Sequence, residues 1–321
     1  MVEELAKELG GRVVQTHTSW VILLEDVVYK IKKPVNFGFL DYSTLEKRKE
    51  NCEKEVRLNR RLCPWVYIDV VPVSEKDGKW FVEDHSNVVE YAVKMRRIPD
   101  NSLLLNRLET IKSEDIEKVA RVVAEFHLSA DRADEFGKPE VMKFNTDENF
   151  QQMEKYVGTT ISAEDFHFIK ERTEAFYDAY EDLFYKRIEE GRIRDGHGDI
   201  RLEHVAFLDE GVCIFDCIEF NDRFRCLDML NDMCFLSMEL DFFGKEELAR
   251  IYEESYRSFV EDREFDIFLP FFKCYRAYVR GKVTSFLLDD PHVSEESKKE
   301  AYDKAKKLFQ LARRYAEEIR V

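Results

Sequence analysis

Two short polar segments carry most of the residue types that could do chemistry in this chain. The first is Asp195-Gly196-His197-Gly198-Asp199-Ile200-Arg201-Leu202-Glu203-His204, and the second is Asp216-Cys217-Ile218-Glu219. Between them, Val205-Ala206-Phe207-Leu208 and Val212-Cys213-Ile214-Phe215 flank Asp209-Glu210-Gly211, which predicts a β-hairpin with a glycine-containing turn. A hairpin brings its ends together, so Asp199, His204, Asp216 and Glu219 are expected in one small volume. Carboxylates gathered this way repel one another unless a cation neutralises them, and a divalent metal is the simplest answer. Acids that anchor loop amides are the ordinary structural alternative, and on these residues alone the two readings weigh equally.

Such a cluster needs elements to position it. The first hundred or so residues read as strands interrupted by one helix, with β-branched or apolar runs at 12–15, 20–24 and 27–31 separated by short polar turns. Ser43-Thr44-Leu45-Glu46 has capping-box spacing and opens a helix to about Leu62, where Cys63-Pro64 stops it. Further strands are expected at 66–73, 80–82 and 88–95, and Pro99-Asp100-Asn101 punctuates the end of the region. Beyond it, Ile116, Val119, Ala120, Val123, Phe126 and His127 recur at helical spacing, as do Phe166, Ile169, Phe176, Tyr180 and Phe184. Four more helices are expected near 226–241, 245–261, 265–288 and 295–319. The predicted fold class is therefore α+β in two lobes. Residues 1–96 form an antiparallel sheet with one helix, and 97–321 form a mainly helical lobe that contains the hairpin.

Composition narrows the function. The 321 residues include 50 Lys+Arg and 66 Asp+Glu, a net charge of −16, which argues against nucleic acid as a partner because phosphates require a dense basic surface. No run of ~18 apolar residues occurs, and Met1-Val2-Glu3-Glu4-Leu5 carries acids where a signal peptide needs bases, so no membrane partner and a cytoplasmic location are expected. The seven cysteines lack Cys-x-x-Cys spacing and read as buried free thiols. The absence of Gly-x-x-x-x-Gly-Lys-Ser/Thr removes a Walker-type ATPase. His127, on an apolar helix face, reads as a satisfied core residue.

The order of motifs adds a resemblance. His197-Gly198-Asp199-Ile200, then Ile214-Phe215-Asp216, then Arg225-Cys226-Leu227-Asp228-Met229-Leu230-Asn231-Asp232 are similar to successive motifs of aminoglycoside phosphotransferases, choline kinases and fructosamine kinases. These families form a branch of the protein-kinase-like superfamily, and the order of elements is similar over almost the whole chain. Val28-Tyr29-Lys30-Ile31-Lys32-Lys33-Pro34 and Phe37-Gly38-Phe39-Leu40-Asp41-Tyr42-Ser43 also resemble a bacterial and archaeal group called aminoglycoside-phosphotransferase-like. Some of its members carry a C-terminal P-loop ATPase domain, and this sequence is expected to be the stand-alone form. The resemblance implies a two-lobed kinase-like fold, with ATP and Mg²⁺ as cofactors and a small-molecule hydroxyl as phosphoryl acceptor. It also implies roles. Asp199 is the catalytic base, Asp216 a metal ligand, Lys30 the phosphate lysine and Glu55 its ion-pair partner. Lys32, on the same strand face, is the alternative phosphate lysine. His17 lies in the turn that would cover the phosphates, Met95 in the segment against the adenine, and Asp228 and Asp232 would anchor the catalytic loop.

Two departures from the pattern stand out. Gln15-Thr16-His17-Thr18-Ser19-Trp20 has no glycine, so a phosphate cradle there must use backbone N–H and hydroxyl donors. His204 replaces the usual Asn five residues after the base, which brings Mn²⁺ in beside Mg²⁺ and leaves three readings beside Asp216 as metal ligand: His204 binds a metal other than Mg²⁺, binds none, or hands that duty to Glu219. Two other readings follow. One is a kinase-like nucleotide-binding module with impaired catalysis. The other is a metal-dependent phosphohydrolase using His197, Asp199, His204 and Asp216. Asp222, Asp228, Asp232, Glu239 and Asp241 would give a negative surface suited to a polycationic acceptor, and a surplus of acids is equally what keeps a protein in solution.

Overall fold

A short amphipathic helix, α1 (Val2–Leu9), opens the chain in the computed structural model, which describes residues 1–321. It buries Val2, Leu5 and Ala6 and stops at Gly10, whose φ of 71° suits glycine. Eight residues are too few for helical periodicity to stand out in sequence, and this helix was not among the expected elements. There follow β1 (Arg12–Gln15), β2 (Ser19–Leu23), β3 (Val27–Lys32), α2 (Leu45–Asn59), β4 (Tyr67–Lys76), β5 (Lys79–Val82), β6 (Val88–Arg96) and the single turn α3 (Leu104–Arg107). The chain continues through α4 (Ser113–Ser129), α5 (Pro139–Met153), α6 (Ala163–Glu189), β7 (Ile193–Asp195), β8 (Val205–Leu208) and β9 (Gly211–Ile214). It closes with α7 (Asp222–Arg225), β10 (Cys226–Asp228), α8 (Met229–Phe242), α9 (Glu246–Phe259), α10 (Phe265–Phe286) and α11 (Glu295–Glu318).

Two compact units result. The first comprises 1–111 with 203–225, and the second 112–202 with 226–321. The first unit thus extends past residue 96 and takes in the hairpin β8–β9. Its reason is packing: Ala206 and Cys213 share a core with Cys52, Val56, Cys63, Tyr67 and Val93, and Leu103 bridges to Ala206. Within that core Cys63 and Cys213 form a disulfide, with Cα atoms 4.8 Å apart. This corrects the reading of seven free thiols. The remaining five are free and buried, but a pair separated by 150 residues in sequence carries no spacing signal.

The sheet of the first unit is antiparallel in the order β1-β2-β3-β6-β4-β5. The pleat of β3 sends Tyr29 and Ile31 into a core with Ile22, Val71, Val73 and Ala92, and so places Lys30 and Lys32 together on the opposite face. Helix α2 is capped by Thr44, whose hydroxyl accepts the Lys47 N–H, rather than by Ser43, which bonds Asp41. Arg48 Nε donates to both carboxylate oxygens of buried Glu90 of β6, at 3.0 and 2.8 Å, and ties α2 to the sheet.

In the second unit, Phe176 of α6 stacks on Phe271 of α10 at 4.1 Å, within a cluster that includes Tyr177, Phe184 and Phe268. Gly281 lets α10 approach α11, since a Cβ there would lie 2.8 Å from the Phe309 ring. Residues 226–228, expected as the start of a helix, instead pair with β7 as a strand, and Asp228 caps α8 by accepting the Leu230 N–H. No helix is long and apolar enough to cross a membrane.

Candidate functional site

In the first unit, Lys30 and Lys32 share one carboxylate. Glu55 of α2, fully buried, accepts from Lys30 Nζ through Oε1 at 2.8 Å and from Lys32 Nζ through Oε2 at 2.6 Å. Each lysine then takes a second acid from the segment that follows β9. Lys30 donates to Asp216 Oδ1 at 2.8 Å, and Lys32 donates to Glu219 Oε1, which also accepts the Tyr42 hydroxyl at 2.5 Å. Exposure separates the two lysines. The Asp216 side chain is 44% exposed and that of Lys30 17%, whereas Lys32 is 1% exposed. Lys30 therefore has the access an incoming anion needs, and Lys32 does not.

The backbone after β9 is pinned residue by residue. The Phe215 N–H donates to His204 O at 3.0 Å, that of Asp216 to Tyr67 Oη at 3.2 Å, and that of Cys217 to Asn59 Oδ1 at 2.9 Å. These anchors hold Asp216 at a φ of 62°, a left-handed conformation in which non-glycine residues are uncommon and which tends to mark functional sites. His204 is buried beside it, with Nε2 3.5 Å from Asp216 Oδ2.

Burial opposes charge on both ammoniums. The carboxylates of Asp216 and Glu55 outweigh it for Lys30, and those of Glu219 and Glu55 for Lys32, so both lysines stay protonated well above the usual lysine range. For Glu55, burial would raise the carboxyl, but the two ammoniums win and hold it below its ordinary value. Burial pushes the Tyr42 and Tyr67 phenols far up, so both remain neutral hydrogen-bond donors.

Of the candidate metal residues, His204 stands beside Asp216, while Glu219 faces Lys32. No group of three or more His, Cys, Asp or Glu side chains is placed to share an ion, and Glu219 is drawn to Lys32 and Tyr42 instead. Mg²⁺ needs less, because one or two carboxylates suffice when waters and substrate phosphates complete its shell. The accessible carboxylate of Asp216 fits that requirement.

The β1–β2 turn offers fewer donors than expected. Thr16 Oγ1 already accepts the N–H groups of Thr18 at 3.3 Å and Ser19 at 3.0 Å, while Lys33 Nζ donates to Thr16 O at 2.6 Å. His17 stands exposed at the tip. Met95, opposite Val28 and Tyr67, is partly buried against the core that holds the disulfide.

In the second unit, the loop His197-Gly198-Asp199 is clamped through its backbone. Asp232, fully buried, accepts the N–H of His197 at 2.6 Å and of Gly198 at 2.9 Å. Arg276 Nη1 donates to Gly198 O at 3.2 Å, and Gly198 has a φ of 84°. His127 Nε2 lies 3.2 Å from Asp232 and its Nδ1 2.8 Å from Tyr256 Oη, so this core histidine buttresses the clamp. Burial would raise the Asp232 carboxyl, but its bond to His127, with His197 and Arg276 nearby, lowers it to about 2. Asp199 pairs with Arg201 Nε at 2.8 Å. Asp228, expected as a second loop anchor, binds Arg187 and caps α8. The expected negative surface dissolves. Asp228, Asp232 and Glu239 are buried, Asp241 pairs with Lys273 at 2.7 Å, and Asp222 pairs with Lys54 at 2.6 Å and Arg225 at 2.8 Å. Tyr42, Asn59 and Tyr67 were not among the sequence candidates. Asn59 had one legible sign, its position one helical turn after Glu55.

No protein-family model matches the chain. Uncharacterised proteins of Mycobacterium bovis and Mycobacterium tuberculosis are 32% identical over 274 residues, 84% of this chain and 53% of theirs. The chain thus spans about half the length of the curated relatives it matches. Among solved structures, a choline kinase from Cryptosporidium parvum superposes with a TM-score of 0.58 at 11% identity, covering 96% of this chain and 89% of that one. A choline/ethanolamine kinase family protein from Mesorhizobium loti gives a TM-score of 0.55 at 12% identity, covering 98% of each chain. The GDP complex of an aminoglycoside 2′-phosphotransferase gives 0.53 at 12% identity, covering 96% of this chain and 97% of that one. The chain has the two-lobed α+β protein-kinase-like fold that these small-molecule kinases share.

Proposed function

We propose that this protein is an ATP-dependent phosphotransferase that moves the γ-phosphoryl group to a hydroxyl of a small molecule. One observation carries the reading: Lys30 stands 2.8 Å from both buried Glu55 and accessible Asp216. A lysine held on a strand by a helix-borne glutamate, with a solvent-facing carboxylate beside it, suits a phosphate chain and its counter-ion. In this reading Lys30 turns its ammonium to the phosphates while Glu55 restrains it. Asp216, with His204 beside it, holds Mg²⁺ or Mn²⁺, which when bound neutralises charge on the phosphates. Asp199 accepts a hydrogen bond from the attacking hydroxyl and then its proton, on a loop that the Asp232 clamp keeps in shape. His17 at the turn tip and Met95 on β6 are the proposed contacts to phosphate and adenine.

The test is Asp199→Asn. ATP consumption measured over a panel of aminoglycosides, sugars, amino alcohols and ketosamines is expected to fall at least a thousandfold, with nucleotide affinity unchanged within about twofold. Wild-type turnover in that variant would refute the assignment. A second reading, a nucleotide-binding module without transfer, draws on the self-satisfied turn at Thr16. It requires nucleotide to stabilise the protein without ATP being consumed with any acceptor.

A further inference from the structure

The phosphotransferase reading assigns no role to three buried groups, Lys32, Tyr42 and Glu219. They are costly to keep. A lysine and a glutamate withdrawn from water persist only with full pairing, and an apolar pair of similar volume would be equally stable. Here the pairing is full. Lys32 Nζ donates to Glu55 Oε2 at 2.6 Å, to Tyr42 Oη at 3.3 Å and to Glu219, and Tyr42 Oη donates to Glu219 at 2.5 Å. The geometry has two consequences. Occupation of Glu55 Oε2 by Lys32 leaves Oε1 facing Lys30, which fixes the rotation of that carboxylate. Glu219, three residues after Asp216, is tied to β3 two residues after Lys30, so the Asp216 segment is fastened to the lysine strand at a second point. Two ammoniums and three carboxylates thus belong to one network.

We propose that Lys32, Tyr42 and Glu219 form a positioning tether that orients Glu55 and sets the place of Asp216. Glu219 acts through Lys32 and does not ligate the metal. This rests on the phosphotransferase reading for its purpose, though the tether itself does not.

The test is a double-mutant cycle of Lys32→Met and Glu219→Gln with two readouts. Hydrogen exchange of the free protein over 215–221 is expected to accelerate at least tenfold in either single variant and no further in the double. Mn²⁺-dependent affinity for an ATP analogue, followed by fluorescence and by the Mn²⁺ electron paramagnetic resonance signal, is expected to weaken about tenfold in each single variant and about tenfold, not a hundredfold, in the double. Losses that multiply would overturn the tether, as would Lys32→Met leaving Mn²⁺ affinity intact while Glu219→Gln weakens it, the pattern of a direct ligand. Should Lys32→Met fail to fold, Tyr42→Phe removes one hydroxyl from a full-size ring and is expected to show the same effects at about threefold; no change in it would equally overturn the proposal. A wild-type protein that binds no nucleotide refutes the phosphotransferase reading, while the exchange readout still decides the tether.

Discussion

At the scale of single residues, the two lysines of β3 differ in what surrounds them rather than in chemistry. Lys30 is open to solvent on one side, and if it is removed Glu55 keeps Lys32 as a partner. Lys30→Met is therefore expected to lower nucleotide affinity at least tenfold while costing less in urea unfolding than loss of Glu55 does. Glu55→Ala leaves two ammoniums facing a cavity, one of them wholly enclosed, and is expected to cost roughly 3–5 kcal/mol in the same measurement. Equal costs for the two variants would mean that Glu55 does not join them. A buried Arg, Lys or Glu looks like any other in a charged sequence. Lys30 and Glu55 were legible only through motif resemblance, and Tyr42, though inside a resembling segment, carried no sign of its role.

At the scale of elements, α2 does most of the positioning. It carries Glu55 and Asn59, one turn apart, so a single helix holds both the lysine pair and the Cys217 amide. Its start is set by Thr44, although Ser43-Thr44-Leu45-Glu46 offered Ser43 as the capping-box residue. Thr44→Ala is expected to cost about 1 kcal/mol in urea unfolding and Ser43→Ala a few tenths. The reverse order would restore Ser43 as the cap. The strand runs, the hairpin and most helices were readable because alternation and 3.6-residue periodicity are local signals. Residues 226–228 were misread as helix because their apolar pattern fits either state, and pairing with β7 decided between them.

At the scale of the whole molecule, the negative charge of −16 suggested an acidic recognition surface, yet most of the acids considered for it work inside the protein. Asp232 shows the consequence. Its folded-state carboxyl is depressed to about 2 against an ordinary value near 3.8, so the stability it contributes is present above about pH 4 and is lost as pH falls through about 2. The size is about 2 kcal/mol. Asp232→Asn is expected to be less stable than wild type at neutral pH, with the gap narrowing between about pH 4 and pH 2. A gap that stays constant on acidification would show that the carboxylate charge plays no part.

Local pattern by itself determined the α+β class, the hairpin, the run of helices and the candidate loop around Asp199, because each depends on neighbours within a few residues. Tertiary structure decided which acids meet which bases. Lys32 and Glu219 are separated by 187 residues and Cys63 and Cys213 by 150, distances across which sequence carries no register. Whether a carboxylate faces water, as Asp216 does, or serves another side chain, as Glu219 does, follows from burial and partners. Those exist only once strand, helix and hairpin have packed.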